Sequence, residues 1–262
     1  MLQLVRMILC VCAVGAPWLL TSGCGDEPLG PIGVSPTPTR TPSATITPTA
    51  TATPRVLSSA EVLEPGAYGV GVTTTTFEDR SRGTMQNGSA PASPSRRLVT
   101  EIWYPTDAGE SDDPQRDAPL ADERRPFPLI MYSHGFMSFR TEGAMLARHL
   151  ASHGYIVASP DFPLSNFNTP GGPTTADVPE QPGDVSFLID ELLARSADSS
   201  DEWFGAVDTE RMGATGLSLG GLTTLLVTFH VSLHDAAFAP PHRLHRLVVF
   251  LPRPSTTLCR CR

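Results

Sequence analysis

The stretch Gly216-Leu217-Ser218-Leu219-Gly220-Gly221 sets a single serine between glycines. A nucleophile held at the tip of a strand-to-helix turn needs small residues on both sides, because the backbone there is forced into a strained bend. The surroundings have the matching pattern. Met212-Gly213-Ala214-Thr215-Gly216 reads as a strand, and Leu222, Leu225, Leu226 and Phe229 recur at helical spacing after the serine. These features predict Ser218 as a nucleophile for an ester carbonyl. The tetrahedral intermediate of such an attack carries an oxyanion that two backbone N–H groups must meet, one of them from the residue after the serine. Leu219 supplies that one. Ser133-His134-Gly135-Phe136 directly follows the apolar run Pro128-Leu129-Ile130-Met131-Tyr132, so the N–H of Phe136 is the predicted second donor.

A serine hydroxyl is a weak nucleophile near neutral pH and needs a His oriented by a carboxylate. His134 is a base by residue type, but it precedes the serine and sits on the oxyanion loop, so a role in shaping that loop is expected. His149 and His153 fall on a helix and at its end, where surface or capping roles are expected. Of the 262 − 218 = 44 residues after Ser218, Asp235 is the only acidic one. If the helix after Ser218 runs on to Asp235, 17 positions away, a rise of ~1.5 Å per residue sets that carboxylate about 25 Å away. Leu247-Val248-Val249-Phe250-Leu251 reads as a further strand, followed by Pro252-Arg253-Pro254 rather than an acid. His230, His234, His242 and His245 all precede that strand. The triad acid and base are therefore not identifiable.

The positioning elements follow from periodicity and turn residues. Tyr68–Val72 and Leu98–Tyr104 are rich in β-branched and aromatic residues and predict an antiparallel pair, with Pro105 ending the second strand. Pro128–Tyr132 suits a strand buried on both faces. From Thr141, residues Ala144, Met145, Ala147, Leu150 and Ala151 predict a helix closed by Gly154. Tyr155–Ala158 is the next strand, and Asp184–Arg195 a helix carrying Val185, Phe187, Leu188, Leu192 and Leu193. Strands alternating with helices predict an α/β architecture with a mostly parallel sheet and an antiparallel N-terminal edge.

Four ordered motifs carry a resemblance. Ser133-His134-Gly135-Phe136-Met137-Ser138-Phe139-Arg140-Thr141, Leu150-Ala151-Ser152-His153-Gly154-Tyr155-Ile156-Val157-Ala158, Asp184-Val185-Ser186-Phe187-Leu188 and the Ser218 turn together resemble the platelet-activating-factor acetylhydrolase and dienelactone-hydrolase-like families of the α/β-hydrolase superfamily. The resemblance spans about residues 66–230. It implies an α/β-hydrolase fold and a Ser-His-Asp esterase for short-chain acyl esters, oxidised phospholipid esters or polyesters, with no metal or other cofactor. Leu217 departs from relatives with His at that place, a position expected to serve packing. The family's acid and base lie beyond Ser218, so the chain reads as a C-terminally incomplete hydrolase, truncated or frame-shifted, with impaired activity, an exposed edge at Leu247–Leu251 and low solubility. Two other readings stand beside it: a non-catalytic exported lipoprotein that keeps the fold as a binding module, and a dienelactone or carbon–carbon hydrolase on the same fold.

Composition narrows the partners. A formal net charge of −8, with no Lys/Arg cluster to offset it, argues against a phosphate-neutralising surface, so nucleic acid is not an expected partner; that none of the basic residues is a Lys carries no functional weight. Residues 1–24 have Arg6, an apolar run from Met7 to Leu20 and a small polar stretch before Cys24, the layout of a secretory signal. Leu20-Thr21-Ser22-Gly23-Cys24 also resembles a lipoprotein processing site, although its Leu sits four rather than three residues before Cys24. Export is expected, with lipidation of Cys24, membrane anchoring and a monomeric hydrolase; an uncleaved anchor is the alternative. Residues 25–56 are Pro- and Thr-rich, a tether or plain disordered linker that stays extended at ~3 Å per residue. Residues 57–251 form the partial hydrolase domain and 252–262 a disordered tail. Cys10, Cys12, Cys24, Cys259 and Cys261 give neither a disulfide framework nor a zinc spacing.

Overall fold

The chain divides into two units, Met1–Arg55 and Val56–Arg262. The computed structural model describes residues 63–109, 113–122 and 124–238, all in the second unit. The signal, Cys24, the Pro/Thr-rich linker, the Leu247–Leu251 run and the C-terminal tail lie outside the described residues.

The element order is β1 (Gly69–Asp79), β2 (Arg96–Thr106), β3 (Gln115–Arg116), β4 (Phe127–Ser133), α1 (Ala144–Ser152), β5 (Ile156–Pro160), α2 (Gln181–Ala197), β6 (Val207–Gly216) and α3 (Leu219–Phe229). A short 3-10 turn precedes α2 at Val178–Glu180 and another follows α3 at Ala236–Phe238. All six strands join one sheet in the order β3-β1-β2-β5-β4-β6. Strands β4, β5 and β6 are parallel, whereas β2 is antiparallel to both β1 and β5. The mostly parallel sheet with an antiparallel N-terminal edge is the arrangement expected of an α/β hydrolase.

Each face of the sheet has its own core. On one, Val72, Trp103, Ile130, Tyr132 and Val157 pack against Ala147 and Ala151 of α1. On the other, Leu98, Ile102, Leu129, Met131, Ile156 and Ala214 pack against Val185, Leu188, Ile189 and Leu192 of α2 and Val227 of α3. Residues alternate between these cores along β2 and β4 because successive side chains of a strand point to opposite faces. Helices therefore cover both sides.

Several local expectations are corrected. Pro105 does not end β2, which continues to Thr106. The Pro105 carbonyl accepts from Ala121 N–H at 2.9 Å, so its backbone polar edge faces away from β1, and the missing N–H costs no bond to that strand. The polar connection after Thr106 holds an unforeseen strand, β3, parallel to β1. Helix α1 starts at Ala144 rather than Thr141. Helix α2 starts at Gln181, three residues early, with Pro182 in its first turn, where a missing N–H is harmless. Gly154 has φ +89, the left-handed conformation expected of it.

Candidate active site

Ser218 is exposed and caps the N-terminus of α3 with φ 52 and ψ −112. A positive φ at a non-glycine residue is strained, costing on the order of 1–3 kcal/mol, and persists only where neighbours enforce it. Two glycines do so. A Cβ on Gly216 would stand 2.4 Å from the Gly220 carbonyl oxygen and 2.7 Å from that of Ser133; one on Gly220 would stand 2.7 Å from the His134 carbonyl oxygen. The turn is therefore pressed against the start of the Ser133–Phe136 loop, and Leu217 N–H donates to Ser133 O at 3.2 Å.

The amides around this contact are mostly committed. Gly135 N–H donates to Glu142 Oε2 at 2.7 Å, Met137 N–H to Ser165 O at 2.9 Å, and Gly220 N–H to Leu217 O at 2.8 Å. The N–H groups of Phe136 and Leu219, and that of Ser218 itself, have no acceptor among the described residues. Leu219 is left free because the first amides of any helix have no partner within it. Met137, next to Phe136, is a second non-glycine residue with positive φ, at 62°.

His134 is buried behind this loop. Its Nε2 lies 3.1 Å from Phe162 N, and a backbone N–H can only donate, so Nε2 is unprotonated. The proton then sits on Nδ1, which donates to Gly135 O at 2.7 Å. With both ring nitrogens committed, His134 has no lone pair to offer Ser218. Burial holds its pKa below the ordinary histidine range, outweighing the Gly135 carbonyl and the charges of Asp161 and Glu142. Ser138 N–H also donates to Gly135 O, at 3.2 Å, so this carbonyl is pinned twice. In a trans peptide the N–H points opposite to the C=O, and pinning Gly135 O thereby aims the Phe136 N–H.

The other histidines among the described residues are remote from Ser218. His153 caps α1 and its Nε2 lies 3.0 Å from Glu64 O; the His149 ring lies 4.6 Å from it. His230 caps the far end of α3, and His234 Nδ1 lies 2.9 Å from His230 O. Asp235 is not on the helix, which ends at Phe229. The chain turns back there, so that Asp235 N–H donates to Val227 O at 2.8 Å and Asp235 Oδ1 accepts from Ala237 N–H at 2.7 Å. An eleven-residue helix is about 16 Å long. Among the described residues, no histidine or carboxylate is bonded to Ser218.

Sequence reasoning missed the support beneath the loop. Arg96 opens β2 and, because β2 runs against β4 and β6, lies at the same end of the sheet as Ser218. Fully buried, it donates to Asp177 at 2.9 and 3.0 Å and to Asp184 at 2.6 Å twice. Asp184 also accepts from Arg82 at 2.8 Å. Gln181 then links two parts of the site: its Nε2 donates to Ser165 Oγ at 2.8 Å, and its Oε1 accepts from Thr223 Oγ1 on α3. Ser165 is the residue whose carbonyl holds Met137. An Arg-Arg-Asp-Asp set spread over a hundred residues has no local pattern that reveals it.

Two cavities, of about 300 and 270 Å³, lie at the other end of the sheet. Tyr104, Leu120, Arg125 and Trp203 line the first, and Tyr68, Gly69, Thr106 and Arg124 the second. Neither adjoins Ser218.

Residues 87–163 match the family model described as platelet-activating factor acetylhydrolase, isoform II. Among solved structures, a ferulic acid esterase from Streptomyces cinnamoneus is similar at 24% identity and a TM-score of 0.46; the match covers 66% of this chain and 59% of that one. The chain has the α/β-hydrolase fold and, over residues 87–163, the sequence pattern of platelet-activating factor acetylhydrolase, isoform II.

Proposed function

We propose that this protein is a serine hydrolase of carboxylic esters. The observation that carries the reading is the exposed, strained Ser218 at a helix N-terminus, pressed against a loop whose Phe136 amide is uncommitted. Ser218 Oγ attacks the ester carbonyl carbon, its proton passing to water and from water to the oxygen of the departing alcohol. The carbonyl oxygen becomes an oxyanion held by the amides of Phe136 and Leu219; collapse expels the alcohol, and water hydrolyses the acyl-serine. The substrate class is a short-chain acyl ester, a phospholipid acetyl ester or a polyester, and no cofactor enters the reaction. The protein acts after export, as a monomer, held at the cell envelope through Cys24.

A second reading, a non-catalytic lipoprotein that uses the fold for binding, is favoured by one observation: among the described residues nothing is placed to take the Ser218 proton. Turnover is accordingly expected to fall short of a complete triad, since oxyanion stabilisation and binding alone retain only part of catalysis. Treatment with a fluorophosphonate probe, beside p-nitrophenyl butyrate hydrolysis, separates the readings. Labelling and hydrolysis that both vanish in Ser218→Ala support the hydrolase. An unlabelled parent, or labelling that survives the substitution, supports the binding module.

A further inference from the structure

We infer that Glu142 is a positioning residue that holds the oxyanion loop in its working shape, acting with Tyr132 and Gly143 as a latch; the inference rests on the reading of Ser218 as nucleophile. Glu142 sits just before α1, seven residues beyond Gly135, and its carboxylate reaches back across the loop. A single oxygen, Oε2, accepts both from Gly135 N–H at 2.7 Å and from Tyr132 O–H at 3.2 Å. The other oxygen, Oε1, lies 3.1 Å from where a Gly135 Cβ would be. Tyr132 belongs to β4, so the carboxylate ties a mobile kind of residue to the sheet.

Gly135 is the weak point that such a tie protects. Without a Cβ it reaches conformations closed to other residues, so its two flanking peptides rotate at little cost unless both are held. His134 and Ser138 hold its carbonyl. Glu142 alone holds its amide, and a charged acceptor makes that bond stronger than a neutral one. The pinned carbonyl orients the Phe136 N–H, and the Glu142 bond fixes the peptide on the other side of Gly135 so that this oriented amide also keeps its place beside Ser218; with the Glu142 end released, that peptide can turn and the place is lost.

Gly143 completes the latch. A Cβ there would stand 2.6 Å from the Tyr132 ring, so only glycine lets the ring pack this close to the chain beside Glu142, with the hydroxyl on the Glu142 carboxylate. Tyr132 is buried, and burial, reinforced by the Glu142 charge, pushes its phenol pKa well above the ordinary range. Near neutral pH the hydroxyl is therefore protonated and donates.

Because both bonds go to one oxygen, Glu142→Gln can keep them through its amide carbonyl, whereas Glu142→Ala loses both. The test compares these variants and Tyr132→Phe in the full chain, reading fluorophosphonate labelling rate, kcat and KM for p-nitrophenyl butyrate, and the amide resonances of 15N-labelled glycine and phenylalanine. Glu142→Ala is expected to shift or broaden the Gly135 and Phe136 signals and to lower labelling and kcat by about 10- to 100-fold at little changed KM, short of the loss of a whole oxyanion donor. Glu142→Gln is expected to restore both readouts, and Tyr132→Phe, which keeps the ring packing, to fall between. Unmoved Gly135 and Phe136 signals in Glu142→Ala, or a parental labelling rate, would overturn the latch. If the parent itself is unlabelled, the nucleophile reading fails, while the amide signals still decide whether the latch exists.

Discussion

Gly220 lies so close to Ser133 that a Cβ atom on it would stand 1.9 Å from the Ser133 carbonyl oxygen. That atom is backbone, so no side-chain rotation relieves the clash. Gly220→Ala is therefore expected to push the α3 N-terminus and the Ser133–Phe136 loop apart. Overpacking of this kind destabilises by typically 1–3 kcal/mol. A lower urea midpoint together with lost fluorophosphonate labelling is the expected result; parental values for both would mean that the two segments are not in contact.

In the proposed reaction Phe136 acts through its amide and not through its side chain, and the residue is exposed at 39%. Phe136→Ala keeps the N–H and is expected to retain most of the labelling rate at Ser218. A collapse of labelling with unchanged stability would transfer the function to the side chain.

Arg96 is the common partner of Asp177 and Asp184, and all three are buried. Removing one member of a buried ionic group strands the others and costs roughly 3–5 kcal/mol. Arg96→Met should show that loss in urea unfolding. Replacing Asp177 and Asp184 with Asn in the same chain should recover part of it, because the stranded charges are then gone.

His134 gives stability a pH dependence whose sign is fixed. Its folded pKa is depressed by burial, so below the unfolded value of about 6.5 the unfolded chain binds a proton that the folded chain refuses. Stability from this residue is complete above that pH and declines as pH falls toward the folded value. Protonation would also end the bond that Nε2 accepts from Phe162 N–H. Melting temperatures measured between pH 7 and 5 should drop less steeply for His134→Asn than for the parent; equal slopes would exclude His134 as the titrating group.

Much of this architecture is legible in the sequence, and the reasons are local. The spacing of Val185, Leu188 and Leu192 marks the buried stripe of α2, and glycines around Ser218 mark a turn that larger residues would block. Helix α3 was harder to read. Its leucines predict an apolar stripe, yet its buried positions are Gly220, Gly221, Thr223, Thr224 and Val227, whereas Leu225 and Phe229 are exposed. The reason is close packing: small residues let the helix approach β4 and β6, and the threonines satisfy their hydroxyls within reach, Thr224 on Gly220 O at 2.9 Å and Thr223 on Gln181. Glu142 was missed because its two bonds span seven and ten residues with no fixed motif, and Arg96 because its carboxylates lie 81 and 88 positions away. Long-range polar pairing leaves no periodic trace.

The separation of the two cores has an optical consequence. Within Val56–Arg262 the tryptophans are Trp103 and Trp203, each 3% exposed, and they fall in different cores. Trp103 lies beneath α1, while Trp203 meets Tyr104 edge-on at 5.1 Å on the opposite face, far from Ser218. Their fluorescence therefore offers one built-in lamp for each side of the sheet, so that single Trp→Phe substitutions in Val56–Arg262 would let the melting of either layer be watched separately.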